Sequence, residues 1–405
     1  MFHPEVVHAD EIRAGVAKEV FALPVGVPLA GYGKRHGKPS VGVHDPVGVR
    51  ALVIEDGSAT AALVSCDLLI INDHLFNAVR TRLLKRGLPS DLVLIVAATH
   101  THSGPGAYGT RFFEKISMGH YDPRVFEVLV NAIVDTVIHA YAKTVPVQIG
   151  YATVPTQGLV KNRMEDGGLV DAELILSAVY PGSSRVPLAV IATFAAHPTT
   201  LGSWNRWMSG DYPGVLMAEV ERQIPGTTCL FFAGSVGDQA PTKAGIGYER
   251  AAWIGQTLAQ RAVAALREVA PVLPQRLNVQ QVHVALAPPK VRLGPRMALP
   301  RWIGRRFVDD DATLSVLLLG NQAIVGVPCD LEADLGQELK TAARARELQP
   351  MVIGFADDYI GYCVSEARYH TAEYEALMAF NGPKTGSMLV EEAITLMDST
   401  HHGRH

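Results

Sequence analysis

The chain has 405 residues, of which 48% are hydrophobic and 19% are charged. This composition excludes a disordered protein, and the length suits one large globular domain or two ordinary ones. The net charge of −4 gives no overall attraction to nucleic acid, and no apolar run is long enough for a membrane-spanning helix.

The N-terminal residues and the cysteines both bear on the compartment. Residues 1–11 are polar and lack the basic-then-apolar pattern of a secretion signal. The cysteines are dispersed, without a CxxC pair, which is typical of buried thiols in a reducing compartment. They are Cys66, Cys229, Cys329 and Cys363. We therefore expect a cytoplasmic protein.

The first part of the chain is predicted to be rich in β-strands. Residues 15–72 contain two apolar runs joined by the turn-forming segment Glu55–Ser58, which predicts a hairpin. Asp67 directly follows the second run. We interpret it as a hydrogen-bond acceptor for a metal-bound histidine, and the alternative is a helix cap or turn residue.

A buried strand, Leu92–Val96, leads into the sequence Thr99-His100-Thr101-His102-Ser103. If the backbone stays extended, His100 and His102 point to the same face at the carboxyl end of this strand, where open α/β sheets place their sites. A buried imidazole pair indicates metal or proton chemistry, and the alternative is two histidines bonded to nearby backbone. Residues 103–121 are predicted to form a loop that serves as a lid or rim.

A second apolar run, Ala189–Ala196, ends in His197, which is followed by Pro198. Two buried strands that each deliver a histidine at the same kind of end can supply a shared metal site. His197 alone would be explained more simply as a hydrogen-bonded core histidine. Taken together with His100 and His102, it is better interpreted as a metal ligand.

The rest of the chain alternates between predicted helices and strands. A helix that begins with proline is predicted for Pro123–Lys143, and Asn162-Arg163 lies in a polar loop after the next strand. The fork of donors on Arg163 suits an oxyanion or a carboxylate, although spacing alone favours a solvated loop arginine. Ser365 is predicted to cap a helix that carries Tyr369, His370 and Tyr374.

Residues 290–306 are the one basic segment that is interleaved with apolar side chains. This composition suits weak contact with an anionic membrane surface or an acidic partner. A solvated linker is the alternative that we favour, and a weak internal break near 288–311 is the candidate boundary within the chain. The basic residues are Lys290, Arg292, Arg296, Arg301, Arg305 and Arg306.

Several short motifs resemble those of the neutral/alkaline non-lysosomal ceramidase family in order and spacing. They are THTHSGPG at 99–106, Asn162-Arg163, FAAHPTT at 194–200, Ser209-Gly210-Asp211, Gly237-Asp238 and Tyr359-Ile360-Gly361-Tyr362. The resemblance covers about residues 12–400. It implies an α/β fold of mixed β-sheets layered with helices. It also implies one ceramidase-like catalytic domain over residues 1–405, without the family's C-terminal immunoglobulin-like domain.

The resemblance implies a site for one zinc ion per chain. The ligand positions fall on His100, His197, Asp330 and Tyr362. Asp330 stands where the family has a glutamate, which is one methylene longer, so the nearby Glu332 is a second candidate. The positions that contact the substrate and the oxyanion fall on His102, Arg163 and Tyr374.

Ala240 is a further departure, because the family has a serine at this place. Without a hydroxyl, Ala240 excludes a serine nucleophile here. Metal-activated water stays available, since zinc lowers the pKa of bound water toward neutrality and polarises a carbonyl. The developing oxyanion would be held by Arg163, His102 and Tyr374, and we expect His102 to carry the proton to the leaving amine.

These residues predict a zinc-dependent hydrolase that cleaves a carbon–nitrogen amide bond by metal-activated water. The expected substrate is an N-acyl amide, either ceramide-like or smaller and soluble, and no nucleic-acid partner is expected. Two alternatives stay open. One is a catalytically inactive, ceramidase-like binding protein, motivated by Ala240 and Asp330. The other is a zinc-dependent ester or lactone hydrolase.

Overall fold

The computed structural model describes residues 11–242, 245–294 and 297–402. Residues 1–10 and Arg296, which entered the sequence analysis, lie outside the described residues. The strands are β1 (Arg13–Val20), β2 (Gly42–Val43), β3 (Gly48–Glu55), β4 (Thr60–Cys66), β5 (Val93–Ala98), β6 (Val145–Pro155), β7 (Val160–Asn162), β8 (Glu173–Pro181), β9 (Ala189–Phe194), β10 (Trp207–Met208), β11 (Thr228–Ala233), β12 (Gln239–Pro241), β13 (Leu277–Ala285), β14 (Asp311–Leu319), β15 (Gln322–Gly326), β16 (Asp330–Leu331), β17 (Gln349–Ile353) and β18 (Tyr362–Cys363). The helices are α1 (Asp73–Lys85), α2 (Phe112–Met118), α3 (Pro123–Tyr141), α4 (Asp211–Gln223), α5 (Gly247–Glu268), α6 (Arg301–Gly304), α7 (Ala333–Arg344), α8 (Glu366–Tyr369), α9 (Tyr374–Leu377) and α10 (Thr385–His402).

The larger sheet has eight strands in the order β11-β9-β8-β6-β1-β3-β4-β5, and β3 and β4 form the predicted antiparallel hairpin. Helices α1, α3, α4 and α5 pack on one face of this sheet. Helix α3 begins with Pro123 after the capping residue Asp122, and it buries an apolar stripe that includes Val125, Leu129 and Ile133. Burial of each such large side chain stabilises the fold by about 1.5–3 kcal/mol.

The smaller sheet has the order β13-β14-β15-β17 and lies on the other face of the larger sheet. Leu52, Ile95 and Leu230 of the larger sheet share one apolar cluster with Leu317 and Ile353 of the smaller sheet. Helices α7 and α10 cover the outer face of the smaller sheet. The layers therefore run helix, sheet, sheet, helix, which confirms the predicted α/β class of mixed sheets layered with helices.

The two ends of the larger sheet approach each other. The parallel pairs β4–β5 and β9–β11 lie at opposite ends of the strand order. The Ser65 hydroxyl on β4 nevertheless donates a hydrogen bond to the Phe231 carbonyl on β11, at 2.6 Å. The carboxyl ends of β5, β9 and β11 are thereby brought to one region of the molecule.

Residues 103–121 do not form one continuous loop, so that prediction was wrong. Phe112–Met118 forms helix α2. The helix starts where Glu114 accepts hydrogen bonds from the Arg111 backbone N–H and the Asn72 side-chain amide, at 2.7 and 2.8 Å. The buried carboxylate of Glu114 thus fixes a helical turn inside the predicted lid or rim.

The prediction that Ser365 caps a helix with its side chain was also wrong. The Ser365 backbone N–H donates to the buried carboxylate of Glu332 at 2.6 Å, and its side chain forms no cap hydrogen bond. Tyr369 and Tyr374 lie on two separate short helices, α8 and α9, with His370 between them. The long-range hydrogen bond between Ser365 and Glu332 is therefore present, and the predicted local bond from the Ser365 side chain to the start of the helix is not.

The basic segment at 290–306 packs against this C-terminal region. The Arg292 guanidinium lies 3.8 Å from the centre of the Tyr369 ring and donates to the carbonyls of Tyr369 and Ala376. Because these contacts tie part of the segment to α8 and α9, it is not a fully solvated linker. The division of the chain into domains near 288–311 stays a prediction.

All four cysteines are buried and free. Burial raises the pKa of the Cys66 and Cys329 thiols, which keeps them protonated and weakly reactive.

Among the described helices, none is long and apolar enough to cross a membrane.

Asp357 joins the two sheets. Its backbone N–H donates to the Val96 carbonyl at 2.7 Å, and its carboxylate accepts the Val96 N–H at 2.8 Å, so it extends the pairing of edge strand β5. The other carboxylate oxygen accepts hydrogen bonds from Ser315 and Gln281 of the smaller sheet, at 2.6 and 3.0 Å. Burial raises the pKa of Asp357 to about 7, although these hydrogen bonds oppose the shift.

We expect the pH dependence of the protein's thermal stability to reflect the ionisation of Asp357. An aspartate in an unfolded chain has a pKa of about 3.9, so between about pH 4 and about pH 7 the folded protein holds a proton that the unfolded chain has lost. This contribution to stability is lost as the pH rises. In Asp357→Asn, whose amide mimics the protonated acid, Tm should fall less between about pH 5.5 and about pH 8 than in the wild type. Thermal unfolding at both pH values checks this, with the exposed Asp166→Asn as control; the same pH dependence in Asp357→Asn and wild type would contradict it.

Candidate metal centre

His100 lies in a turn just beyond β5. Its backbone is left-handed, with φ of 61°, so the prediction of an extended backbone through the two histidines was wrong. The Thr101 hydroxyl donates to the Ser209 carbonyl at 2.8 Å, which fixes the turn against the loop before α4. The two rings still meet, because the Nε2 atoms of His100 and His102 are 3.1 Å apart.

His197 follows β9, and its Nε2 lies 3.1 Å from Nε2 of His100. On the far side of each ring, Nδ1 contacts a backbone carbonyl: Leu69 at 2.6 Å for His100 and Val236 at 2.9 Å for His197. A carbonyl oxygen can only accept, so we assign the ring proton to Nδ1 in both residues. In the neutral rings, the two facing Nε2 atoms therefore carry lone pairs.

These carbonyls orient the histidines, and Asp67 does not, so its predicted role as their acceptor was wrong. The Asp67 carboxylate accepts hydrogen bonds from the Gly48 N–H at 2.9 Å and the Thr99 hydroxyl at 3.3 Å. It also lies 3.4 Å from Arg50. Asp67 thus supports the turn that carries His100 without touching the imidazole ring.

The buried carboxylate of Asp330 completes the group. Its Oδ1 lies 3.3 Å from Nε2 of His197 and 3.7 Å from Nε2 of His100, and accepts no hydrogen bond from the described part of the chain. Electron-rich atoms with no proton between them repel one another unless a cation lies among them. Tetrahedral zinc ligands, about 2.0–2.1 Å from the ion, lie about 3.3 Å apart. The observed separations therefore fit a bound metal ion.

Burial makes the protonated forms of these histidines unfavourable. It lowers the pKa of His100 to about 3 and the pKa values of His102 and His197 well below their ordinary value, and the charge of Arg163 adds to each shift. The imidazoles are therefore neutral at pH 7, which is the form that binds a metal. Burial also raises the pKa of Asp330 to about 7, and a bound cation would oppose this shift by stabilising the carboxylate.

Short parallel strands set the orientation of Asp330. β16 pairs with β18, so Asp330 lies opposite Tyr362. The Tyr359 hydroxyl donates to Oδ2 of Asp330 at 2.7 Å, which leaves Oδ1 for the histidines. Glu332, the second candidate ligand, is instead paired with Arg368. Of the two acids, Asp330 is the one that the structure brings to the histidines.

His102 lies beside His100, and with His197 the three side chains can hold a metal ion. Its ring packs on Gly31, where a Cβ atom would lie 2.7 Å from the imidazole. The Tyr32 ring is 4.9 Å away, between ring centres. This geometry serves a metal ligand or a proton carrier, so the catalytic role of His102 stays a prediction.

Arg163 is held on two sides. Its Nη2 donates to the Tyr362 hydroxyl at 2.9 Å and to the Gly237 carbonyl at 2.7 Å. Its Nε forms an ion pair with Glu375 at 2.9 Å. Glu375 is buried and follows Tyr374 on α9, so one short helix carries a predicted substrate contact and the carboxylate that positions Arg163. The sequence analysis missed Glu375, for which adjacency to Tyr374 was the only signal.

A pocket opens onto this group. His100, His102, Asp330, Tyr362 and Tyr374 contribute to its lining, and Tyr374 is 60% exposed. The pocket also has apolar lining that the sequence analysis did not identify, formed by Leu69, Ile70, Phe113, Phe307, Val308 and Met378. A hydrocarbon chain can therefore lie beside the polar centre.

Ala240 does not belong to the lining of this pocket. It lies on β12 opposite Lys161 of β7. Its neighbour Gln239 accepts a hydrogen bond from the His197 backbone N–H at 3.2 Å, so residue 240 is adjacent in the chain to a contact with that histidine.

Comparison with known proteins agrees with this geometry. The sequence model described as neutral/alkaline non-lysosomal ceramidase, N-terminal, matches residues 15–266. The neutral ceramidase of Mycobacterium tuberculosis is 28% identical over 221 residues, which cover 50% of this chain and 34% of that protein. The neutral ceramidase of Pseudomonas aeruginosa is 25% identical over 260 residues, covering 58% and 38%. The chain thus spans about a third of the length of these curated relatives.

Solved structures share the fold. The crystal structure of neutral ceramidase from Pseudomonas aeruginosa matches with a TM-score of 0.83 at 18% identity, over 96% of this chain and 74% of that chain. A ceramidase described as complexed with C2 matches with a TM-score of 0.84 at 17% identity, over 96% and 75%. Because the family match extends over more than half of the sequence, the chain belongs to the neutral/alkaline non-lysosomal ceramidase family.

Proposed function

We propose that this protein is a zinc-dependent hydrolase that cleaves the carbon–nitrogen amide bond of an N-acyl amide. The observation that carries the proposal is the meeting of the His100 and His197 Nε2 atoms, 3.1 Å apart, with Asp330 Oδ1, which accepts no hydrogen bond from the described residues. Family membership supports the reaction class. The metal identity, the substrate and the activity are part of the proposal.

His100, His197 and Asp330 would hold the metal. Tyr362, which lies opposite Asp330 on the paired strand and accepts a hydrogen bond from Arg163, stays the predicted fourth ligand. Catalytic zinc sites typically use nitrogen and oxygen ligands from the protein and keep one coordination position for water or substrate. When bound, the metal supplies a Lewis acid that polarises an amide carbonyl and lowers the pKa of a water molecule.

The side chains around the pocket would stabilise charge and move the proton. Arg163 is permanently charged and is fixed by Glu375 and Tyr362, so with Tyr374 it can donate hydrogen bonds to an oxyanion at the former carbonyl. His102 is neutral because burial lowers its pKa, so it can accept a proton from the attacking water and pass that proton to the leaving amine. The products are a carboxylate and a free amine.

The proposed substrate is amphiphilic. The apolar lining of the pocket supports binding of an acyl chain, and the names of the relatives support a ceramide-like amide. Segment 290–306 supports weak contact with a lipid surface, because Leu293, Met297 and Trp302 are all more than half exposed there. We also propose a cytoplasmic location, which the free, buried cysteines support.

Hydrolysis can be measured directly. We expect metal-loaded protein to release fatty acid and amine in equal amounts from ceramides or smaller N-acyl amides, detected by mass spectrometry. Chelation should abolish the release, and zinc should restore it. Metal binding without turnover of any amide would favour an inactive binding protein, and turnover of esters or lactones alone would favour the other alternative.

Metal content gives a second test. Protein purified without added metal should carry about one zinc ion per chain, and His197→Ala and Asp330→Asn should lose it, because the first removes a ligand atom and the second removes the negative charge of the carboxylate. Elemental analysis measures the content, with the exposed His139→Ala as a matched control that keeps its metal. No metal in the wild type, even after incubation with zinc, would refute the proposed site.

Glu375 should act through Arg163. Glu375→Gln removes the ion pair at 2.9 Å and should lower kcat by about 10-fold, and Arg163→Ala by about 100-fold or more, since both weaken stabilisation of the oxyanion. Metal content should stay unchanged in Glu375→Gln, because Glu375 does not touch the histidines. The exposed Glu366→Gln on the neighbouring helix is the control; equal activity of Glu375→Gln and wild type would contradict the positioning role.

A further inference from the structure

Part of the pocket lining is charged and has no place in the mechanism above. It consists of Arg111, Glu114 and Asp358. Asp358 directly precedes Tyr359, whose hydroxyl holds Asp330 at 2.7 Å. This charged lining is therefore one residue away from a side chain that supports the metal centre.

Arg111 and Glu114 are satisfied within the protein. Glu114 accepts hydrogen bonds from the Arg111 N–H and from Asn72, at 2.7 and 2.8 Å. The Arg111 guanidinium pairs with Asp309 and, at 3.3 Å, with Asp73. The one cation of this lining is thus neutralised by two carboxylates, so it has little capacity left to attract an anionic ligand.

Asp358 is different, because its hydrogen-bonding capacity is unused. Within the described residues, its one hydrogen bond comes from the N–H of its neighbour Tyr359, which donates to Oδ1 at 2.7 Å. Its other oxygen accepts none, and no described cation forms a salt bridge with it. The side chain is partly buried and lines the pocket, so a donor group that enters the pocket can reach this free oxygen. In a residue that lines a substrate pocket, that donor can come from the substrate.

The charge around Asp358 selects the kind of group that can approach. Burial raises the pKa of Asp358 to about 7; the nearby acids Asp73 and Asp309 add to this shift, and Arg111 opposes it. With Glu114, four carboxylates face one guanidinium. A hydroxyl or ammonium group is attracted to such a place, whereas a carboxylate is repelled.

We infer that Asp358 is a specificity-determining residue that accepts a hydrogen bond from a donor group on the substrate, a hydroxyl or an ammonium, and that excludes amides carrying a carboxylate. The inference rests on the proposed function, since it concerns the amide that the same pocket holds. With Asp358 in this role, the protein would prefer N-acyl amino alcohols and N-acyl diamines over N-acyl amino acids of the same length as substrates.

The test uses matched substrates that differ in one group. In the first series, one acyl chain is joined to ethanolamine, ethylenediamine, n-propylamine or glycine, which end in hydroxyl, ammonium, methyl or carboxylate. In the second series, the same end groups are placed on the acyl part. Wild-type, Asp358→Ala and Asp358→Asn proteins are compared in their metal-loaded forms, with the exposed Asp166→Asn as control.

We expect the wild type to prefer a hydroxyl or ammonium substrate over its methyl counterpart by about 10- to 100-fold in kcat/KM in one of the series, as for a hydrogen bond to a charged group. The carboxylate substrate should be the poorest. Asp358→Ala should reduce the preference to less than about threefold, and a circular dichroism spectrum and a metal content equal to those of the wild type show that the variant folds. A preference that survives in Asp358→Ala, or no preference in either series, would overturn the inference.

Binding separates this inference from the proposed function. Ketone analogues, in which CH₂ replaces the amide N–H, cannot be hydrolysed, and their affinities for the metal-loaded protein can be measured by calorimetry. Donor-dependent binding that is lost in Asp358→Ala supports the role of Asp358 even if no amide is turned over. In that case the hydrolase proposal alone would fail. Equal binding of the hydroxyl and methyl analogues would count against Asp358.

Discussion

Two hydrogen bonds from imidazole Nδ1 atoms to backbone carbonyls determine what this site can do. Because Leu69 and Val236 fix the ring protons of His100 and His197, the facing Nε2 atoms present lone pairs to each other and to Asp330. No rearrangement of neutral tautomers relieves this repulsion while those hydrogen bonds remain. The approach of the sheet ends and the hold of Tyr359 on Asp330 keep the electron-rich atoms together, and a metal ion bound among them would relieve the repulsion.

Local sequence pattern was enough to find the histidines, whereas the layered α/β class was implied by the family resemblance. Apolar runs that end in His100 and His197 describe buried strands with polar side chains at their carboxyl ends, and such ends meet in the folded protein. The backbone of His100 was not predictable in this way. Its left-handed turn depends on Thr101 bonding to Ser209 and on the Phe355 ring, which stacks on the imidazole at 3.8 Å. Such long-range contacts leave no periodic signal.

Long-range contacts also explain the residues that were missed or misassigned. Asp67 is close to the turn that carries His100, but its carboxylate accepts a hydrogen bond from the Gly48 N–H and does not contact a histidine ring. Glu375 and Asp358 acquire their roles from Arg163 and from the pocket, respectively. An acidic residue in a polar turn looks the same in sequence whether it faces solvent, an arginine or a substrate.

The three atoms that would hold the metal come from separate parts of the chain, and His100 and His197 alone are 97 residues apart. An ion bound between them would act as a removable cross-link, closing long loops much as a disulfide does. The four cysteines form no disulfide, so this cross-link would have no covalent counterpart among them. Withdrawal of the ion would then do more than stop catalysis: it would free the seam between the two sheet ends and shorten the lifetime of the folded protein.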